Sequence, residues 1–428
     1  MTKDFYITDN RIFDPLHQFI RFDELEKEVI DSLPFQRLHD IHQLGVTYQV
    51  YPGATHSRFE HSLGVMQLAT SMFEILCKFL RPDIFLFVPR KGSQEYFYWK
   101  KVLRIAALCH DIGHLPFSHV AEHDLLGEKG HEKMLKKIIY SDHLLPILEK
   151  MTQREGYLPK EHKDDFVEDI CNIATGNIQG SWQKIISEII IADFFGADRI
   201  DYLLRDSLNT GVMYGSFDFH QLIEMLRILP LDKEQYCLGI DSKGMEACEA
   251  LLLSRYFMYR RVYQHPAVVS YHFHLRRFMK EYFKDFDFDD VDQFLKISDA
   301  DILCDMKKIS FSKEHPQSLE ARRVLFKEKR FKAIAVSEHV DFEQLQANIE
   351  EKGIDTDKIY FEVTKPFLSE KDLSFPVAKE LFSVKPVEAF SEILSSIPST
   401  SRNWIFVDPN FQSEVISIVE SMSQEKVV

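Results

Sequence analysis

Residues 106–119 read AALCHDIGHLPFSH, and this stretch decides how the rest of the chain is assigned. Val102, Leu103, Ile105, Ala106, Leu108 and Cys109 recur at helical spacing. That pattern predicts a buried helix from Trp99 to His114, stopped by Gly113 and Pro116. His110 and Asp111 then stand at the polar end of an apolar helix, where both are costly unless something satisfies them. His114 lies four residues beyond His110, so a continuous helix puts both imidazoles on one face. Imidazole and carboxylate together suit a divalent cation. A hydrogen-bonded helix terminus satisfies the same residues without one. The dipeptide alone carries nothing, because His39-Asp40 and His123-Asp124 repeat it.

Three further clusters bear on that choice. In YPGATHSRFEHSLGV (51–65), a helix beginning near Thr55 or Ser57 places Arg58 and His61 on one face. His61 taken alone reads first as a satisfied core histidine and otherwise as another metal nitrogen, and Arg58 offers a planar fork for a phosphate. In ADFFGADRIDYLLRDS (192–207), Asp198, Tyr202 and Arg205 or Asp206 share a helical face. Asp198 follows Gly196-Ala197 in apolar surroundings and needs a partner, whereas Asp201 and Arg205 read as an ion pair on a solvated face. In SRYFMYRRVYQH (254–265), Arg255, Tyr259 and Tyr263 form a stripe at helical spacing. Such a stripe packs a core, or clasps a phosphate and stacks a base.

The chain has 428 residues, of which 45% are apolar and 28% charged, enough for a large core domain and a smaller one. Its 35 phenylalanines predict an aromatic interior, and its net charge of −15 argues against a surface that tracks nucleic acid. The six cysteines lack CxxC spacing and read as reduced thiols. MTKDFYITDN has no signal-peptide core and no run is long enough for a membrane, so a soluble, cytoplasmic protein is expected. Helical periodicity also covers Trp182–Leu208 and Met245–Tyr263, with a polar loop and short helix across Gln153–Asp169. Near residue 305 the pattern changes to short β-favouring runs at 333–336, 359–363 and 404–407, separated by amphipathic helices such as Phe342–Lys352. The expected fold is mainly α, a helical core over 1–305 with a small C-terminal α+β subdomain over 306–428. The basic run Arg322–Lys327 with Arg330 reads as a solvated amphipathic helix, or as a site for a regulatory nucleotide or nucleic acid.

His61, His110-Asp111 and Asp198, each in its motif, resemble the H…HD…D pattern of the HD phosphohydrolase superfamily. PGATHSRFEHSLGV, LCHDIGHLPFSH, GHEK and ADRIDYLLRDS resemble its deoxynucleoside triphosphate triphosphohydrolase branch, and FQRLHDIHQLGVTYQVYPGA and YRRVYQH extend the likeness over roughly residues 10–305. The resemblance implies an HD-domain helical bundle in which His61, His110, Asp111 and Asp198 hold a divalent ion (Mn, Mg, Fe, Ni or Zn). It implies phosphate contacts from Arg58, Arg199, Tyr202 and Arg255, and places Gln43 and Asp206 near the sugar 3′-hydroxyl. Tyr259, where the family has a histidine, and Tyr263 fall beside the sugar or base. His114 and His131 fall near the scissile phosphate, with His119 and Glu122 supporting His131 as general acid. Glu122 replaces a common aspartate, and Arg199 a common lysine. The implied reaction releases a deoxynucleoside and inorganic triphosphate, in a homo-oligomer that can take an activating nucleotide at subunit contacts. Hydrolysis of another nucleotide or of single-stranded nucleic acid, and nucleotide sensing with little turnover, are the alternatives.

Overall fold

A computed structural model describes residues 10–79, 84–85, 87–159, 162–178, 180–192, 194–231, 235–336, 340–363, 375–379, 383–397 and 403–424. At its centre the Arg58–Leu76 helix is buried on nearly every face, as expected of a helix whose apolar residues do not confine themselves to one stripe. The Gln94–Cys109 and Ala197–Thr210 helices pack against it. Ser93 starts the Gln94–Cys109 helix, its Oγ accepting from the Tyr96 N–H at 3.1 Å. An antiparallel hairpin, Asn10–Asp14 with Gln18–Phe22, packs Ile20 and Phe22 into this core.

The helix expected to reach His114 ends at Cys109, and residues 110–113 form a turn. The run read as continuous from Trp182 to Leu208 is two helices, Ser181–Ile191 and Ala197–Thr210. Gly196 explains the break: a Cβ there would sit 2.6 Å from the Ile190 carbonyl oxygen, a close approach that only glycine permits. Met245–Met258 is helical as the periodicity implies and then widens into one π-helical turn, Tyr259–Tyr263.

The C-terminal β-favouring runs form a three-stranded antiparallel sheet, with Asn403–Val407 between Lys332–Val336 and Ile359–Glu362. A second sheet was not visible in the sequence pattern. Leu226–Pro230 and Tyr236–Asp241 pair antiparallel, and Pro376–Ala378 adds in parallel beside Ile240 and Asp241. The chain thus returns to the helical core after the first C-terminal strands, and the Asp299–Ser310 helix runs through residue 305 without a break. The Ser318–Phe326 helix is not freely solvated along its basic run. Arg322 and Arg323 pair with Glu328 and Glu320, and the Arg330 guanidinium lies 3.9 Å from the Tyr271 ring centroid. All six cysteines are free, and no described helix is long and apolar enough to cross a membrane.

Candidate active site

A capping box, in which the Ser57 N–H donates to Glu60 Oε1 at 3.1 Å, fixes the first turn of the central helix. Arg58 and His61 thereby face residues 110–111. His61 Nε2 lies 3.0 Å from Asp198 Oδ1 and 3.6 Å from Asp111 Oδ2. His110 Nε2 lies 3.3 Å from Asp111 Oδ1 and 3.8 Å from Asp198 Oδ1. One donor atom each from His61, His110 and Asp198 falls within 4.8 Å of the others. The four expected ligands therefore meet, although 137 residues separate His61 from Asp198.

The donor set fits a divalent ion. His110 donates from Nδ1 to the Ala107 carbonyl at 2.7 Å, while its buried Nε2 has no hydrogen-bond partner among the described residues. A buried nitrogen with nothing to bond is costly unless it ligates. His61 donates from Nδ1 to Asp201 Oδ2 at 2.8 Å and likewise turns Nε2 inward. Burial opposes a charged His61, yet hydrogen bonds with Asp198 and Asp201 override it and push the imidazole up to about 10. Burial also opposes ionisation of Asp198, and the imidazoles of His110 and His61 hold it below the usual carboxylate range.

A second cluster adjoins the first. The His114 and His131 rings stack at 4.3 Å between centroids, and Glu122 bonds His131 Nδ1 and, at 2.9 Å, His119 Nδ1. Gly113 makes this possible: a Cβ there would lie 2.1 Å from the His131 carbonyl oxygen. Donor atoms of His114, His119, Glu122 and His131 also gather within 4.8 Å. The stacked pair is pulled in opposite directions. Burial and the charges of Arg58 and His131 press His114 down to about 4. Burial opposes charge on His131 too, but the Glu122 hydrogen bond and carboxylate raise it. Residues so divided can work as acid and neutral partner at one pH.

The expected substrate-contacting residues surround these clusters. Arg58 donates to Asp111 Oδ2 at 2.5 Å and to Ser118 Oγ at 2.8 Å. Burial and Tyr259 push the Tyr202 hydroxyl up, against the pull of the Arg199 and Arg255 charges. The Arg255 guanidinium lies 5.7 Å from the Tyr259 centroid, and Tyr259 meets Tyr263 edge-on at 5.0 Å. Asp206 accepts from Tyr263 at 2.6 Å and lies 2.7 Å from His56 Nε2. Gln43 Oε1 is buried with no hydrogen-bond partner.

Two expectations are corrected. His110 and His114 do not share a helical face: the helix ends before them, and the turns send His110 to His61 and His114 to His131. Asp201 and Arg205 do form their intrahelical pair, at 2.8 Å, but neither is solvated; both are fully buried. Asp201 accepts from His61 and lies 2.7 Å from His17 Nε2, and Arg205 also donates to Asp14 at 2.8 Å. Asp14, His17, His56 and Ser118 were missed. For Asp201 the available signal was its position, one helical turn after Asp198 and one before Arg205.

Two family models match the chain: the HD domain over residues 58–203 and the HD associated region over residues 217–406. An uncharacterized protein of Methanocaldococcus jannaschii is 36% identical over 264 residues, covering 60% of this chain and 46% of that protein. The deoxynucleoside triphosphate triphosphohydrolase SAMHD1 of Homo sapiens is 31% identical over 277 residues, covering 59% of this chain and 41% of that enzyme. The chain thus spans about half the length, or less, of these curated relatives. The crystal structure of a hypothetical protein from Aquifex aeolicus aligns over 96% of this chain and 99% of its own, with TM-score 0.77 and 30% identity.

Proposed function

This chain belongs to the HD-domain phosphohydrolase superfamily, and on that premise we propose that it hydrolyses deoxynucleoside triphosphates to a deoxynucleoside and inorganic triphosphate. The observation that carries the reading is the adjacency of two clusters. His61, His110 and Asp198 gather donor atoms around one point, and the oppositely titrating His114–His131 stack stands beside them. The SAMHD1 likeness supports a dNTP as the substrate.

In this reading His61, His110, Asp111 and Asp198 hold the divalent ion. When bound, such an ion supplies Lewis acidity toward phosphoryl oxygen and acidifies water. Arg58, Arg199, Tyr202 and Arg255 grip the triphosphate, arginine's planar fork suiting bidentate contact with phosphate. His131, held protonated by Glu122, gives its proton to the departing 5′-oxygen, and His119 steadies Glu122 from the other side. His114, kept neutral, stacks on His131 and adds no repelling charge. Asp206 and Gln43 address the sugar hydroxyl. The nucleotide is then the partner, and the family likeness supports assembly with further copies of the chain.

Product analysis tests the assignment. Purified protein with Mn²⁺ or Mg²⁺, offered each dNTP and NTP with and without added GTP or dGTP, should release inorganic triphosphate from at least one dNTP. Release of orthophosphate or pyrophosphate in its place would overturn it.

A further inference from the structure

A cavity of about 330 Å³ opens beside the candidate catalytic residues, at the small end of ligand pockets and roomy enough for a nucleobase. Gln43, His119 and Tyr263 of the helical core line it, as do Arg276, on the Pro266–Tyr282 helix, and Glu362 and Trp404, on C-terminal strands. Two buried amide oxygens in the lining, Gln43 Oε1 and Gln264 Oε1, have no hydrogen-bond partner among the described residues. Buried acceptors of that kind await donors.

The C-terminal part of the chain is clamped onto the Pro266–Tyr282 helix. Phe273 stacks on Phe406 at 4.1 Å and 11° between planes. The Arg277 guanidinium lies 4.5 Å from the Tyr360 centroid. Arg276 donates to both Glu362 oxygens, at 2.5 and 3.2 Å. Trp404 is buried between the same elements.

The geometry points to the C-terminal sheet as the base-selecting wall of the nucleotide site, with Glu362 favouring bases that carry an exocyclic amino group. This rests on the dNTP reading above and adds to it the source of base preference. A carboxylate only accepts, and each Glu362 oxygen keeps a lone pair after bonding Arg276. Adenine, cytosine and guanine offer amino hydrogens to it. Thymine flanks its single ring N–H with two carbonyl oxygens and meets the carboxylate with like partial charge. A site built around such a contact rejects the analogue that lacks it.

The test compares kcat/KM for the four dNTPs in the full chain and in Glu362→Gln and Glu362→Asp, with thermal melting to confirm folding. Glu362→Gln should lower the ratio of each amino-bearing dNTP to dTTP by about tenfold, the scale of one lost hydrogen bond to a charged acceptor. Glu362→Asp, which keeps the carboxylate, should return the ratio toward wild type. An unchanged ratio in folded Glu362→Gln, or an equal shift in Glu362→Asp, overturns the inference and leaves the dNTP reading standing. Wild-type protein that releases triphosphate from no dNTP overturns both.

Discussion

His61 Nδ1 donates to Asp201 Oδ2 over 2.8 Å, and both side chains are fully buried. That bond fixes the imidazole so that Nε2 points at Asp198 and Asp111. Arg205 in turn fixes Asp201, donating from Nε at 2.8 Å. The candidate ligand shell is thus oriented from behind by a buried ion pair on the helix that also carries Asp198.

Replacing that support should weaken the ion's hold without removing a ligand. Asp201→Asn is expected to lower divalent-metal affinity about 10–100-fold, the usual cost of losing an outer partner of a ligating histidine. Competition against a fluorescent chelator measures it. Affinity equal to wild type in a folded variant would show that His61 needs no such partner.

Much of this arrangement was legible because its logic is local. His110, Asp111 and Asp198 stood out as polar groups in apolar surroundings, His61 joined them through the family resemblance, and the Asp201–Arg205 pair followed from i, i+4 spacing. What escaped was tertiary. Nothing in the spacing of Asp201 announces that His17, at the hairpin turn, and His61 converge on it. The divergence of His110 from His114 depends on a helix stopping at Cys109, four residues before the glycine read as its end. The strand Pro376–Ala378 pairs with residues more than a hundred positions away, and so short a segment has no periodicity to read.

The stacked histidines make a pH prediction. Glu122 raises His131, so activity that needs the protonated imidazole falls as pH rises through that elevated value. Glu122→Gln removes the anion and should move the falling limb to lower pH, with kcat near neutrality down by about 10²-fold or more. A pH–rate profile decides. A limb that stays in place would remove His131 from the role.

A second buried network governs acid stability. Glu26 accepts from Arg104 at 2.6 and 2.9 Å and from Lys101 at 2.7 Å. Burial opposes its charge, but Lys101 and Arg104 hold the carboxyl far below its ordinary value. Because the folded state depresses this group, its contribution is complete above the unfolded pKa of about 4.3 and fades as pH falls toward the folded value. Glu26→Gln should cost about 3–5 kcal/mol at neutral pH, since it leaves the buried Arg104 guanidinium without its bidentate anion, while Lys101 keeps Asp23. The gap to wild type should narrow below about pH 4 in urea titrations. A gap independent of pH would contradict the linkage.

Gly113 and Gly64 separate catalysis from folding. A Cβ on Gly64 would lie 2.0 Å from Asp201 Oδ1 and 2.5 Å from an Arg205 nitrogen, so Gly64→Ala pushes directly on the buried pair behind His61. It should destabilise by about 1–3 kcal/mol or more, the range of core overpacking, and weaken metal binding with it. A Cβ on Gly113 would instead meet the His131 carbonyl at 2.1 Å and the Leu135 N–H nitrogen at 2.7 Å, both backbone atoms. Neither can swing aside, so Gly113→Ala must shift the Gly130–Ile139 helix that carries His131. Displacing the acid by about 1 Å is enough to cost on the order of 10²-fold in kcat. The variant should lose less metal affinity than Gly64→Ala: the strained turn carries His110 and Asp111, but His61 and Asp198 stand on other helices. Metal titration beside single-turnover rates distinguishes the two variants, and Gly113→Ala that turns over like wild type would mean His131 does not act on the substrate.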